Sequence, residues 1–386
     1  MPDTSSIHDL IQSLLDVSNP FPPALLHQFS DLDHEEAQIL LAAWPAIPVE
    51  RRRNFLQDLV ELSEHDDLMM FDLVGMIGLD DADDDVVVRA IDLLFVCEQK
   101  SLVPKYLALL TDENRSELVR AAAANVLGPY VYLGELEKLK AELLKNIEDS
   151  LLDATKFDPS DLVRRRALES LGFSSRKEVP PLIRLAYAQH NPDWVESAMF
   201  AMGRSADEQW EEDILENLDH THLGVQLQAI HAAGELELSS ARRFLLKLAV
   251  RKSIPEELRR EVVWALAHIG GKDVLEVFER LIARSDDDDE IDFLEEAIDT
   301  LNFTNDPSLF DLMDLDPNKG RASHDHEHDE DDEFSFDDEE NGFEEDDLDD
   351  EFLIEEDEWS RYVSEDDLGE EEDSYDFEDD VEDDLR

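Results

Sequence analysis

Apolar residues along this chain recur at helical rather than strand spacing. The stretch ELVRAAAANVLG, residues 117–128, sets the pattern: a large apolar residue, small or apolar residues four and seven later, and glycine nine later. The same order returns as VRRRALESLG from Val163, WVESAMFAMG from Trp194, VQLQAIHAAG from Val225 and LRREVVWALAHIGG from Leu258, where Ala267 takes the first glycine place. Fainter copies start at Val88 (VRAIDLLFVC) and Phe293 (FLEEAIDTLN), and a possible earlier one is RRRNFLQDLV from Arg51. From Val88 onward the anchors lie 31, 44, 31, 31, 33 and 35 residues apart. Positions i, i+4 and i+7 form one stripe of a helix. Alanine and glycine on that stripe let a neighbouring helix approach closely. Second apolar helices fall between the copies, as in VPPLIRLAYAQ from Val179 and SARRFLLKLAV from Ser240. Each period is therefore a two-helix hairpin, which buries its stripe only by stacking on the next. Helix starts are expected at Asp158 with Pro159, and at Asn191 with Pro192, in cap and first-turn places.

The pattern V-R-x-x-A-x-x-A-L-G resembles HEAT repeats, in the short form of phycobilisome lyase subunits, over about residues 86–303. The resemblance implies an all-α solenoid whose second helices line a concave face. It carries little about function, because such solenoids bind macromolecules in most cases and serve enzymes in a few. The arginine after the anchor is kept as Arg89, Arg120, Arg164 and Arg259, and is replaced by Val195, Gln226 and Leu294. The resemblance makes Arg120, Arg164, Arg165, Gln226, Arg259 and Arg260 candidate partner-binding residues. Pairing of these arginines with acids such as Asp158, Asp161, Glu256 and Glu257 is the favoured local alternative.

The expected organisation is a helical, proline-interrupted cap region (1–85), the solenoid (86–316) and a disordered acidic tail (317–386). The 44-residue spacing predicts a lengthened first helix in that hairpin. The extra residues mark a candidate binding insertion, or equally a plain surface extension.

Charge changes the picture at the C-terminal end. The net charge is −67, and residues 321–386 hold 36 acidic and 3 basic side chains. That sixth of the chain carries −33, against −34 for residues 1–320. Charge of this density opposes collapse. Aromatics are interspersed, among them Phe352, Trp359 and Tyr362 in FLIEEDEWSRYV, the segment best suited to fold on a partner. Acid gives attraction to a basic surface and the rings give anchoring. A solubility tail without a dedicated partner, and a tail resting on the solenoid's own arginines, are the alternatives. Direct nucleic-acid binding is disfavoured by the charge, and no membrane partner is expected.

Candidate chemistry is sparse. There is no phosphate-binding glycine loop, no H-E-x-x-H and no G-x-S-x-G. His-Glu pairs of the kind that hold iron in HEAT-fold deoxyhypusine hydroxylases occur only at His34-Glu35 and His326-Glu327, outside the recognised repeats. His324, His326 and His328 alternate with acids but have no preset geometry. DLDPNKGRASHD from Asp314 misses a calcium loop in its glycine and its twelfth position. The single cysteine, Cys97, is expected to be a buried, inert thiol. His220, His222, His231 and His268 read as packing or surface residues. Neither cofactor nor metal is expected, and the absence of a secretory start or a membrane-length apolar run makes the cytoplasm the expected compartment. The leading reading is a non-enzymatic scaffold that binds protein partners through its concave face, with the tail engaging basic partners. The alternatives are a subunit of a bilin lyase-like modifying enzyme, and a chaperone of basic proteins or nucleic-acid mimic.

Overall fold

The computed structural model describes residues 6–305 except 67, 252 and 286. All of them lie in the first of the chain's two units, Met1–Asp316. Among the described residues there are α-helices and short 3-10 turns and no strand. No helix among them is long and apolar enough to cross a membrane.

Three helices come first: α1 (Ile7–Leu15), α2 (His34–Ala43) and α3 (Val49–His65). Ser6 and Asp33 start α1 and α2 with reciprocal capping boxes through Asp9 and Glu36. Seven hairpins follow. The first two are α4 (Asp72–Gly78) with α5 (Asp84–Leu93), and α6 (Val103–Thr111) with α7 (Glu117–Glu135). Next come α8 (Ala141–Phe157) with α9 (Asp161–Leu171), and α10 (Val179–Tyr187) with α11 (Pro192–Arg204). The last three are α12 (Glu211–Asn217) with α13 (Leu223–Glu235), α14 (Arg242–Ala249) with α15 (Glu256–Ile269), and α16 (Lys272–Ile282) with α17 (Asp288–Asn305). Each second helix packs on the next, from α5 to α17, and each first helix packs on its own partner. The result is a two-layer solenoid with one apolar core from Ile7 to Leu301. The faint copy from Arg51 lies in α3, which packs on α5 as the second helices pack on one another.

The spacing of glycine and alanine has a direct structural meaning. Numbering from each anchor, the glycine at position 9 faces the small residue at position 7 of the next repeat. A Cβ added to Gly172, Gly203 or Gly234 would lie 2.9 Å from the Cα of Ala201, Ala232 or Ala265. Backbone meets backbone at all three joints, and only glycine allows that approach.

The first joint uses a serine instead. Pro129 interrupts the hydrogen-bond ladder of α7, because proline lacks the N–H that would reach the Asn125 carbonyl. Ser170, fully buried at position 7 of the following repeat, donates its hydroxyl to the carbonyls of Ala124 (2.9 Å) and Asn125 (3.3 Å).

The long 44-residue repeat differs from the expectation. Its extra length is shared between α7, with 19 residues, and α8, with 17, rather than placed in one lengthened first helix. The predicted helix start at Asp158 is also displaced. Asp158 ends α8, Ser160 is the N-cap of α9, and the Asp158 carboxylate takes the Ser160 N–H at 2.8 Å. The residue before a proline is held extended, so the chain cannot turn helical until past Pro159. Asn191 caps α11 as expected, accepting from the Asp193 N–H, with Pro192 in the first turn.

Candidate binding face of the second-helix layer

The candidate residues fall into two geometric sets. Those at position 1 of the repeat bind near the start of their own helix, and three of the four also reach the next repeat. Arg120 is 8% exposed; its Nε and Nη2 pair with Asp158 at 3.0 and 3.1 Å, and its Nη1 donates to the Arg115 carbonyl. The hydrogen bonds to Asp158 outweigh burial and raise its pKa further. Gln226 donates to the Leu218 carbonyl at 2.9 Å. Arg259 donates to the carbonyls of Ala249 and Arg251, at 3.5 Å each, and lies 3.9 Å from Glu290. Arg164 pairs with Asp161 and places its guanidinium over Trp194, 5.5 Å from the ring centroid. The local pairing is present for Arg164 with Asp161, whereas Asp158 is taken by Arg120 from the preceding repeat.

Residues at position 2 reach across to the next repeat on the outer side of the layer. Arg165 donates to the Asp193 carbonyl at 3.2 Å and faces its carboxylate at 3.6 Å. Arg260 lies over Phe293, 4.4 Å from the centroid. The remaining candidates, Phe352, Trp359 and Tyr362, lie outside the described residues, as do His324, His326 and His328.

The same layer carries a ladder that the sequence reading missed. Tyr132 meets Phe173 at 5.2 Å between centroids. The Arg204 guanidinium covers both Phe173 (4.6 Å) and Phe200 (4.0 Å). Phe200 stacks on His231 at 6.1 Å, His231 on Trp264 at 4.4 Å, and Trp264 meets His268 at 4.1 Å. His231 Nδ1 is 2.9 Å from Glu261, and its Nε2 is 3.3 Å from Glu235. Burial opposes a charge on His231, but hydrogen bonds to Glu235 and Glu261 prevail and push its pKa up to about 9. Its bond to His231 holds Glu235 below the usual carboxylate range. Burial draws Arg204 down to about 10, against the charges of Glu169 and Glu235, so it stays cationic at neutral pH. The signal for this ladder was in the repeat alignment. Phe200, His231 and Trp264 share position 6, and Phe173, Arg204, Glu235 and His268 share position 10. Trp264 is thus in ring contact with two histidines. The ladder straps α11, α13 and α15 together.

The one thiol is held in its neutral form. Cys97 is buried just beyond α5 and donates to the Asp72 carboxylate at 3.1 Å. Burial pushes its pKa up to about 12. Among the described residues no group of three His, Cys, Asp or Glu side chains is placed to hold a metal.

Residues 211–299, from α12 into α17, match the family model for HEAT repeats. No curated protein matches the chain. Among solved structures, the complex of CpcE and CpcF of phycocyanin lyase from Nostoc sp. PCC7120 matches at 19% identity. That match covers 60% of this chain and 94% of that one, with a TM-score of 0.39. Human deoxyhypusine hydroxylase matches at 16% identity, over 77% of this chain and 96% of that one, with a TM-score of 0.31. Importin beta matches at 12% identity, over 80% and 48%, with a TM-score of 0.38. At these scores they add nothing to the fold derived above. The matched repeats share their hairpins and their position 7 to position 9 joints with the repeats before them, so the described residues form an α-solenoid whose residues 211–299 match HEAT repeats.

Proposed function

We propose that this protein is a non-enzymatic scaffold that binds protein partners along the outer face of its second-helix layer. The reading also has the acidic tail engage basic partners through Phe352, Trp359 and Tyr362. The observation that carries it is the continuity of that face. Successive second helices align the same repeat positions, and Leu118 and Tyr132 stand on it 52% and 48% exposed. Arg165 and Arg260 add cations at their edges. Stacked repeats offer extended surfaces of this kind to macromolecules. The acid-rich chain disfavours nucleic acid as the direct ligand.

The test is affinity capture from native extract with three baits: the full chain, a chain ending at Asp316, and full-length L118E/R165E. A partner kept by the first two and lost by the third supports recognition on the second-helix face. A basic partner lost with the tail assigns recognition to the tail instead. A coloured preparation, or one carrying stoichiometric metal, would favour a modifying-enzyme subunit and overturn the scaffold reading.

A further inference from the structure

A cleft of ≈ 940 Å³ opens between α15, α17 and the turns that follow α14 and α16. Four arginines line it: Arg251, Arg259, Arg260 and Arg284. That is unexpected in a chain with 100 acidic residues against 33 basic ones. Elsewhere in the solenoid, arginines such as Arg52, Arg53, Arg115 and Arg176 are each tied to a carboxylate. In the cleft, Arg251 and Arg284 have no ion-pair partner among the described residues.

Four acids line the same walls, Glu256, Asp287, Asp289 and Glu290, and two of them are already engaged. Glu290 accepts from the Ser285 hydroxyl at 2.6 Å and lies 3.9 Å from Arg259. Asp287 accepts the Asp289 N–H at 3.1 Å, at the start of α17. Arg259 spends its donors on the carbonyls of the α14–α15 turn. Arg260 rests on Phe293, and a guanidinium over a ring keeps its N–H edge for a further acceptor. Two uncommitted guanidinium groups and one edge thus line the same cleft as Phe293.

Guanidinium forks match carboxylates and phosphates alike. Size and lining decide between them. The cleft is at the upper end of the ~300–1,000 Å³ typical of ligand sites, far more than an inorganic anion fills, and Phe293 stands in its wall. We propose that this cleft binds an acidic peptide segment of a protein partner. Carboxylates of that segment bind Arg251 and Arg284, and an apolar side chain rests beside Phe293. The inference deepens the scaffold reading, resting on it only in taking a protein segment as the ligand.

The test is fluorescence anisotropy of the full chain with a fluorescein-labelled Glu-Asp-Phe-Asp-Glu peptide in 0.15 M salt. Saturable binding is expected, and R251A/R284A should weaken it about tenfold or more, since both lost contacts are charge-assisted. Neither arginine supports another side chain in the fold, so the variant should keep the wild-type circular dichroism. The amide analogue Gln-Asn-Phe-Asn-Gln should fail to bind. The proposal is overturned if wild type does not bind the acidic peptide, or if R251A/R284A or the amide analogue binds as well. It is also overturned if tripolyphosphate binds the arginines and the peptide does not. Peptide binding without any captured partner would sink the extended-face reading alone; capture without peptide binding would sink the cleft alone.

Discussion

Replacing Gly203 by alanine tests the claim that backbone contact sets the repeat spacing. The new Cβ would sit 2.9 Å from the Cα of Ala232, 3.1 Å from its Cβ and 3.6 Å from the Cβ of Glu235. Unstrained carbon contacts begin at about 3.5 Å. The nearest obstacle is the main chain of α13, which cannot rotate aside, so α11 and α13 must part. Overpacking of this kind costs about 1–3 kcal/mol. Alanine also favours a helix over glycine by about 0.5–1 kcal/mol, so the net expectation is a loss of about 1–2 kcal/mol. Gly134 supplies the comparator. The three atoms nearest to its added Cβ all belong to the side chain of Leu144, which can turn away. Gly134→Ala therefore carries the same helical gain with a clash that can be relieved. Urea unfolding followed at 222 nm should place the Gly203→Ala midpoint below wild type and below Gly134→Ala. Because a solenoid is coupled only between neighbours, the loss should broaden or split the transition at the α11–α13 joint. Equal midpoints for the two variants would refute the backbone-contact argument.

The His231 strap predicts a pH dependence with a definite sign. Its pKa rises from an ordinary ~6.5 to about 9 in the fold. The stabilisation is fully present below pH ~6.5 and lost as pH rises through about 9. With the side chain 27% exposed, solvent screening reduces the effect to about 2 kcal/mol. His231→Ala should flatten that alkaline loss in urea titrations between pH 6 and 9.5, and an unchanged slope would count against the strap. Ser170→Ala should cost about 1–3 kcal/mol by removing the hydroxyl donor from the Ala124 and Asn125 carbonyls, measured as a urea midpoint; a neutral result would mean that other donors serve those carbonyls. Cys97 should resist a thiol reagent at pH 8 in the native protein and react on addition of denaturant, and rapid native labelling would show that the thiol is open.

The fold was legible where the chain repeats itself in kind. Glycine at position 9 and alanine at position 7 recur as letters, and they turn out to touch. The 44-residue spacing showed an insertion but not its division between α7 and α8, because leucines at helical spacing fit either helix. Asp158 misled because a cap residue before proline reads the same whether it starts a helix or closes the previous one; its engagement with Arg120 is a long-range fact. The ladder was hidden for another reason. Its members change chemical type from repeat to repeat, phenylalanine to histidine to tryptophan, and a hydrophobic periodicity test passes over a histidine between two aromatics. The cleft of Arg251 and Arg284 depends on turns that bring together residues about 30 apart, with no shared spacing.

The hydroxyl of Ser170 has a consequence for how the chain comes to be folded. The proline in α7 removes the N–H that would serve the Asn125 carbonyl, and the following repeat brings a hydroxyl to it, so the long hairpin is completed by its successor. During synthesis, α7 emerges before the residue that completes it. Its far half should stay frayed until α9 docks, and the two repeats should then order in a single step. A chain interrupted between α8 and α9 should therefore show slack amide protection around Asn125 while α5 and α6 are already protected. In that sense the proline works as a checkpoint: it delays one helix until its successor has arrived.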